Sequence, residues 1–148
     1  MTTAQTAGTG KILVGIDGSD SSIQALQWAA RQAVLTTSSL DVIMTWDLPS
    51  SYGWAMPFPD GYDPEESIRT LLTDTVAELR KEFPDVVVTT RVLRGHPAPI
   101  LVEASKDADL LVVGSRGHGE FTGMLIGSVS EHCAAHAHCP VLVHRPGT

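Results

Sequence analysis

The stretch of this chain best equipped for chemistry is residues 114–130, GSRGHGEFTGMLIGSVS. Gly114 and Gly117 bracket two residues, and Gly127-Ser128 follows after nine more. Glycines let a backbone approach an anion closely and turn its N–H groups towards it. Gly127-Ser128 also leads into a helical pattern, whose first amides and dipole favour a phosphate group. Ser128 adds a hydroxyl donor, and Arg116 is the one cation inside the loop. The formal net charge of −7 disfavours non-specific binding to nucleic acid or to a membrane surface. Any phosphate site must therefore be local and built mainly from backbone dipoles.

The same residues admit a purely structural reading. Ser128-x-x-Glu131 is a capping box, which contributes ~1 kcal/mol to a helix start. A cap needs no glycine loop before it, so the spacing back to Gly117 and Gly114 favours the phosphate. Glu131 then places a negative charge near that phosphate, which Mg²⁺ or an outward rotamer relieves. Asp17 reads equally as a helix cap and as a ligand contact, and one side chain serves both uses. Arg116 reads equally as a solvated loop arginine and as a phosphate contact. Competing motifs fail on composition: a Walker A loop needs a lysine that Gly127-Ser128-Val129 lacks. The dinucleotide fingerprint needs Gly-x-Gly-x-x-Gly after the first strand, which Gly15 and Gly18 do not supply.

Two kinds of segment alternate around these residues. Residues 11–16, 40–46, 86–93, 109–114 and 141–144 read as strands, four of them apolar and β-branched like parallel strands buried on both faces. The segment at 86–93 carries Thr89 and Arg91, which places it nearer a sheet edge. Helical patterns fill 19–35, 64–83, 97–106 and 129–138. The second opens Asp63-Pro64-Glu65-Glu66, with Asp63 as N-cap, Pro64 at the first helical position and Glu66 completing a capping box. The alternation predicts an α/β fold: a single five-stranded parallel sheet sandwiched by four helices, Rossmann-like or flavodoxin-like. Ligands of such sheets bind beyond the carboxyl ends of the strands, where the 114–130 stretch falls.

At 148 residues, with 43% apolar and 18% charged residues, the chain reads as one domain over residues 11–148 with a real core. Residues 1–10 are small and polar with no apolar signal region, and read as a disordered tail. No apolar run approaches the ~20 residues that cross a bilayer. Two cysteines in a chain of this kind imply a reduced, cytoplasmic setting.

In order and spacing, these features resemble the universal stress protein family. Gly-x2-Gly-x9-Gly-Ser is that family's motif, and it stands here as Gly114, Gly117, Gly127 and Ser128. Gly15-Ile16-Asp17-Gly18-Ser19, Gly95-x-Pro97 and Cys139-Pro140-Val141-Leu142-Val143 extend the likeness across residues 11–144. The resemblance implies a five-stranded α/β fold, frequently dimeric, in the family's ATP-binding branch. By position it implies that Gly114, Gly117, Gly127, Ser128, Val129 and Ser130 hold phosphates and ribose. Asp17, beside Gly15 at the end of the first strand, approaches the ribose or the Mg²⁺. Thr45 meets the adenine by its backbone, and Val113 lines the base. The function implied is a nucleotide-responsive regulator of stress or growth arrest, paired as a homodimer through Val141–His144.

Two rival readings follow. The ligand is cyclic AMP or another adenine nucleotide, or the protein is an enzyme that slowly hydrolyses ATP or transfers its adenylyl group. No catalytic constellation supports the second: His118 near the loop is a lone histidine. His132 and His136 have zinc-compatible spacing, but with no third ligand fixed by spacing they read as a packed or half-exposed pair. Cys133 and Cys139 read as small core residues. The aromatics of the 47–63 loop fit a lid, a partner contact or local packing alike.

Overall fold

The structure, a computed structural model, is described for residues 10–47, 61, 63–116 and 126–146. Its elements alternate strictly: β1 (Gly10–Ile16), α1 (Asp20–Thr36), β2 (Ser38–Trp46), α2 (Pro64–Glu82) and β3 (Val88–Arg94) come first. After them come α3 (Pro97–Ala104), β4 (Leu110–Gly114), α4 (Ser128–His136) and β5 (Val141–His144). Among the described residues these strands form one all-parallel sheet in the order β3-β2-β1-β4-β5. That is the order of a Rossmann sheet without its sixth strand rather than of a flavodoxin-like sheet. The chain runs outward from β1 to β3, then returns to lay β4 on the other side of β1. The order therefore reverses between β1 and β4, and open α/β sheets bind their ligands at the carboxyl side of such a switch point.

Alternation along the strands divides the core in two. On one face Ile12, Val14, Leu40, Val42, Met44 and Val112 pack against Ala25, Leu26, Ala29 and Ala30 of α1 and Leu72, Val76 and Leu79 of α2. On the other, Leu13, Ile43, Leu111 and Val113 meet Leu101 of α3 and Cys133 of α4. The alanine stripe of α1 lets that helix lie close to the sheet. Each fully enclosed Leu or Ile contributes roughly 2 kcal/mol of transfer free energy.

Element ends differ from expectation for local reasons. Gly10, read as the last tail residue, pairs with Ser38 and belongs to β1; residues 1–9 lie outside the described residues. The third helix ends at Ala104 and tightens into a 3₁₀ turn, Ser105–Asp107, as Ser105 Oγ donates to the Val102 carbonyl at 2.6 Å. Asp63 caps α2 as expected, accepting from the amides of Glu65 and Glu66 at 3.0 and 3.4 Å. No helix among the described residues is long and apolar enough to cross a membrane.

Strand β3 lies at an edge, as its Thr and Arg content indicates, and β5 lies at the other. On β2 beside it the Asp41 carboxylate is buried, and accepts from Arg91 Nη2 at 2.6 Å, Arg91 Nε at 3.3 Å and Thr89 Oγ1 at 3.4 Å. The Arg91 side chain is 45% exposed while that of Asp41 is 7% exposed. The pair thus falls between a screened surface bridge and a buried one. Arg91→Ala is expected to lower the unfolding free energy by about 1–2 kcal/mol in urea titration, because the carboxylate keeps only the Thr89 hydroxyl. A change below about 0.3 kcal/mol would show that solvent already serves this carboxylate.

Candidate functional site

The carboxyl end of β1 runs into Asp17-Gly18-Ser19, where Gly18 takes φ +85°. That left-handed turn costs any other residue strain. Asp17 Oδ1 accepts from the Ser19 amide at 2.9 Å, and Ser19 Oγ accepts from the Ser22 amide at 3.3 Å. The N-cap of α1 is therefore Ser19. Asp17 is not the cap; it forms an Asx turn that presents the cap, and its carboxylate stays half-buried at the sheet edge.

The first turn of α1 then rests on the end of β4. A Cβ on Gly114 would lie 2.7 Å from Ser21 Oγ and 3.1 Å from the Ser21 backbone, so only glycine permits the approach. The next residue, Ser115, is buried, and its amide donates to the His144 carbonyl of β5 at 2.9 Å. Its carbonyl accepts from the Gly127 amide at 2.6 Å. This bond closes the glycine loop: both ends of 115–127 are fixed at one point, whatever lies between. A Cβ on Gly127 would stand 3.3 Å from the Ser115 oxygen and 3.6 Å from Arg116 Cα. Ser21, Gly114, Ser115 and Gly127 thus bring the starts of α1 and α4 together at the β1/β4 reversal.

Gly127, with φ −77° and ψ 164°, is the N-cap of α4, and among the described residues no side chain caps this helix. The Ser128-x-x-Glu131 capping box is not formed, because Ser128 sits one position inside the helix. Ser130 Oγ instead donates to the Gly127 carbonyl at 3.0 Å, and the Glu131 amide meets that same carbonyl at 2.9 Å. By helix geometry the amides of Ser128, Val129 and Ser130 have no intrahelical acceptor, and they carry the positive end of the helix dipole. The Ser128 side chain is exposed and Val129 is half-buried against the α3–α4 core.

The remaining expected site residues fall at the same edge with differing exposure. Thr45 is half-buried near the end of β2. Arg116 is exposed just past β4. The Val113 side chain is 3% exposed and packs with Leu101 and Cys133, on the core side of β4. At Gly15 a Cβ would meet Leu101 Cδ1 at 2.6 Å, so its missing side chain makes room for α3. Gly117 and His118, with most of the 47–63 loop, lie outside the described residues. Sequence reasoning missed Ser21 and Ser115, small residues whose roles depend on contacts that no local spacing announces, and did not name Ser19 as the cap of α1.

Beside this edge, Trp46 Nε1 donates to Glu65 at 3.3 Å, and the Arg94 guanidinium lies 5.3 Å from the Trp46 ring centroid. Arg94 and Glu65 thereby tie the end of β2 to β3 and to the start of α2. The apolar cleft among Ala33, Val34, Val86 and Val87 opens at the opposite, amino end of the sheet and has no part in the site. Burial pushes the Cys133 thiol up to about 11. Burial, then the Asp109 charge, also raises Cys139, against a smaller lowering by the Leu111 backbone. Neither thiol is a ready nucleophile at neutral pH.

The chain as a whole has known relatives. The profile of the Universal stress protein family matches residues 8–145. A universal stress protein of Mycolicibacterium smegmatis is 41% identical over 139 residues, covering 91% of this chain and 45% of that protein. The chain thus spans less than half the length of such relatives. The universal stress protein UspA from Lactobacillus plantarum superposes with a TM-score of 0.75 at 21% identity, covering 95% of this chain and 100% of that one. A universal stress protein solved in complex with cAMP superposes with a TM-score of 0.66 at 29% identity, covering 90% and 94%.

Proposed function

This chain belongs to the universal stress protein family, and from that premise we propose that it binds ATP at the carboxyl edge of its sheet. The observation that carries the proposal is the start of α4. Three helix-terminal amides, with no side-chain cap among the described residues, open where Gly127 is bonded to Ser115 and the strand order reverses. That arrangement suits a polyphosphate without a lysine. Gly114, Gly117, Gly127, Ser128, Val129 and Ser130 hold the phosphates and ribose, with Arg116 as the local cation. Thr45 meets the adenine through its backbone, and Val113 lines the base through its backbone.

Magnesium suits the same edge. Asp17 offers one carboxylate at the end of β1, in the turn that leads to Ser19, and Mg²⁺ bound with ATP takes few protein ligands, chiefly phosphate oxygens and water. Bound there, the ion neutralises phosphate charge. Asp17 holds it while Ser19 keeps the turn in place.

In this reading the protein is a nucleotide-responsive regulator in stress or growth arrest, set in the cytoplasm, where its two free thiols stay reduced. It acts as a homodimer in which the edge strand β5 pairs with its counterpart and covers its free amides. A second ligand reading has specific support: the 29% identical neighbour was solved with cAMP. A single phosphate needs fewer of the α4 amides than a triphosphate does.

Denaturing the purified protein and weighing the released small molecules identifies a resident nucleotide. Calorimetric titration then compares ATP, ADP, AMP and cyclic AMP. ATP is expected to bind tightest; tighter binding of cyclic AMP selects the second reading, and no binding of any of them overturns both. ATP turnover above ~1 s⁻¹ would instead mark an enzyme.

A further inference from the structure

We propose that His132 and His136 form a binding site for a borderline divalent metal ion, zinc or copper, on the outer surface of α4. The two histidines are four residues apart on a helix and therefore share one face. Their ring centroids are 4.5 Å apart with a 45° interplanar angle, and both residues are exposed. The rings already stand side by side, so little further side-chain entropy is lost when one ion takes a nitrogen from each. Imidazole is a preferred ligand of both Zn²⁺ and Cu²⁺.

The surroundings favour a cation. His136 is in the last turn of α4, where the negative end of the helix dipole adds to the attraction. Glu131, exposed on the neighbouring position, and the net charge of −7 act in the same direction. Cys133 lies between the histidines in sequence but points into the core, with its thiol held protonated by burial. It is not a ligand. Among the described residues no third His, Cys, Asp or Glu joins the pair. Water completes the coordination, so the site is one of modest affinity that responds to metal supply. It needs no nucleotide, and it stands or falls apart from the ATP reading.

The test uses tag-free protein, titrated with Zn²⁺ by calorimetry and with Cu²⁺ by electron paramagnetic resonance. One saturable ion per chain is expected, with a copper spectrum showing nitrogen couplings from two imidazoles. His132→Ala and His136→Ala are each expected to weaken binding at least about tenfold, a loss typical even of outer-shell metal partners. His96→Ala, a change at an exposed histidine on another element, is expected to leave the affinity unchanged. Since both α4 side chains are exposed, the variants keep the fold, and circular dichroism verifies this. Absence of saturable binding, or equal affinity in the doubly substituted protein, would overturn the proposal.

Discussion

Gly127→Val is expected to lower ATP affinity at least about a hundredfold while the protein remains folded. Even a Cβ at Gly127 would stand 3.3 Å from the Ser115 oxygen, and valine adds two methyl groups to it. The neighbours there are backbone, the Ser115 carbonyl and Arg116 Cα, and cannot swing aside as a side-chain tip can. The 2.6 Å bond between the Gly127 amide and Ser115 must then lengthen, moving the start of α4 away from the end of β4. Hydrogen bonds to a charged group contribute ~1.5–3 kcal/mol each, so two misplaced amides account for ~3 kcal/mol or more, a factor above 100. Gly127 is only half-buried at a helix start, and the fold should lose far less than the site does. Calorimetry with ATP reads the affinity and thermal melting reads the fold. Undiminished binding in a folded variant would show that the nucleotide sits elsewhere.

Leu13→Ala is expected to act in the opposite way, removing about 3–4 kcal/mol of stability with the site intact. Leu13 is fully buried on β1, in register with Asp41 of β2 and Leu111 of β4, and packs in the α3–α4 core. Strand β1 is the middle strand, paired on both sides, so the sheet has little room to close over the cavity. For a domain of this size the loss corresponds to roughly 10 °C in melting temperature. ATP at about 100 times its Kd should return ~2.7 kcal/mol, because a ligand held only by the folded state stabilises it by mass action. Gly127→Val should show no such return. A Leu13→Ala loss under about 1 kcal/mol would contradict the enclosed packing described for this position.

The fold was largely legible because both of its signals are local. Apolar, β-branched runs at 11–16, 40–46 and 109–114 alternate with helical stripes, and the alternation permits few topologies. Val141–His144 was readable to the residue, since Pro140 bounds it. Helix ends were harder. Ser128 has the composition of a cap, yet the bond from Gly127 to Ser115 pulls the boundary back by one residue. Asp17 and Ser19 are equally good caps on paper. The turn at Gly18 decides between them by leaving Asp17 outside the helix.

The candidate site was legible in Gly114 and Gly127 and obscure in Ser21 and Ser115. Gly114 and Gly127 are explained by atoms that would collide with a side chain, and their spacing flags them. Ser21 and Ser115 supply those atoms, and serine is too common to stand out. For Val113, position along the strand says that the residue is near the edge, while the pleat turns its side chain into the core. Gly15 was placed at the site by its neighbours, yet the bulk it avoids belongs to Leu101.

The most direct test observes the three helix-start amides themselves. In ¹⁵N–¹H correlation spectra, ATP with Mg²⁺ is expected to shift the resonances of Ser128, Val129 and Ser130 saturably, whereas adenosine at equal concentration leaves them nearly in place. Nucleotide binding that saturates without moving those three amides would contradict the account.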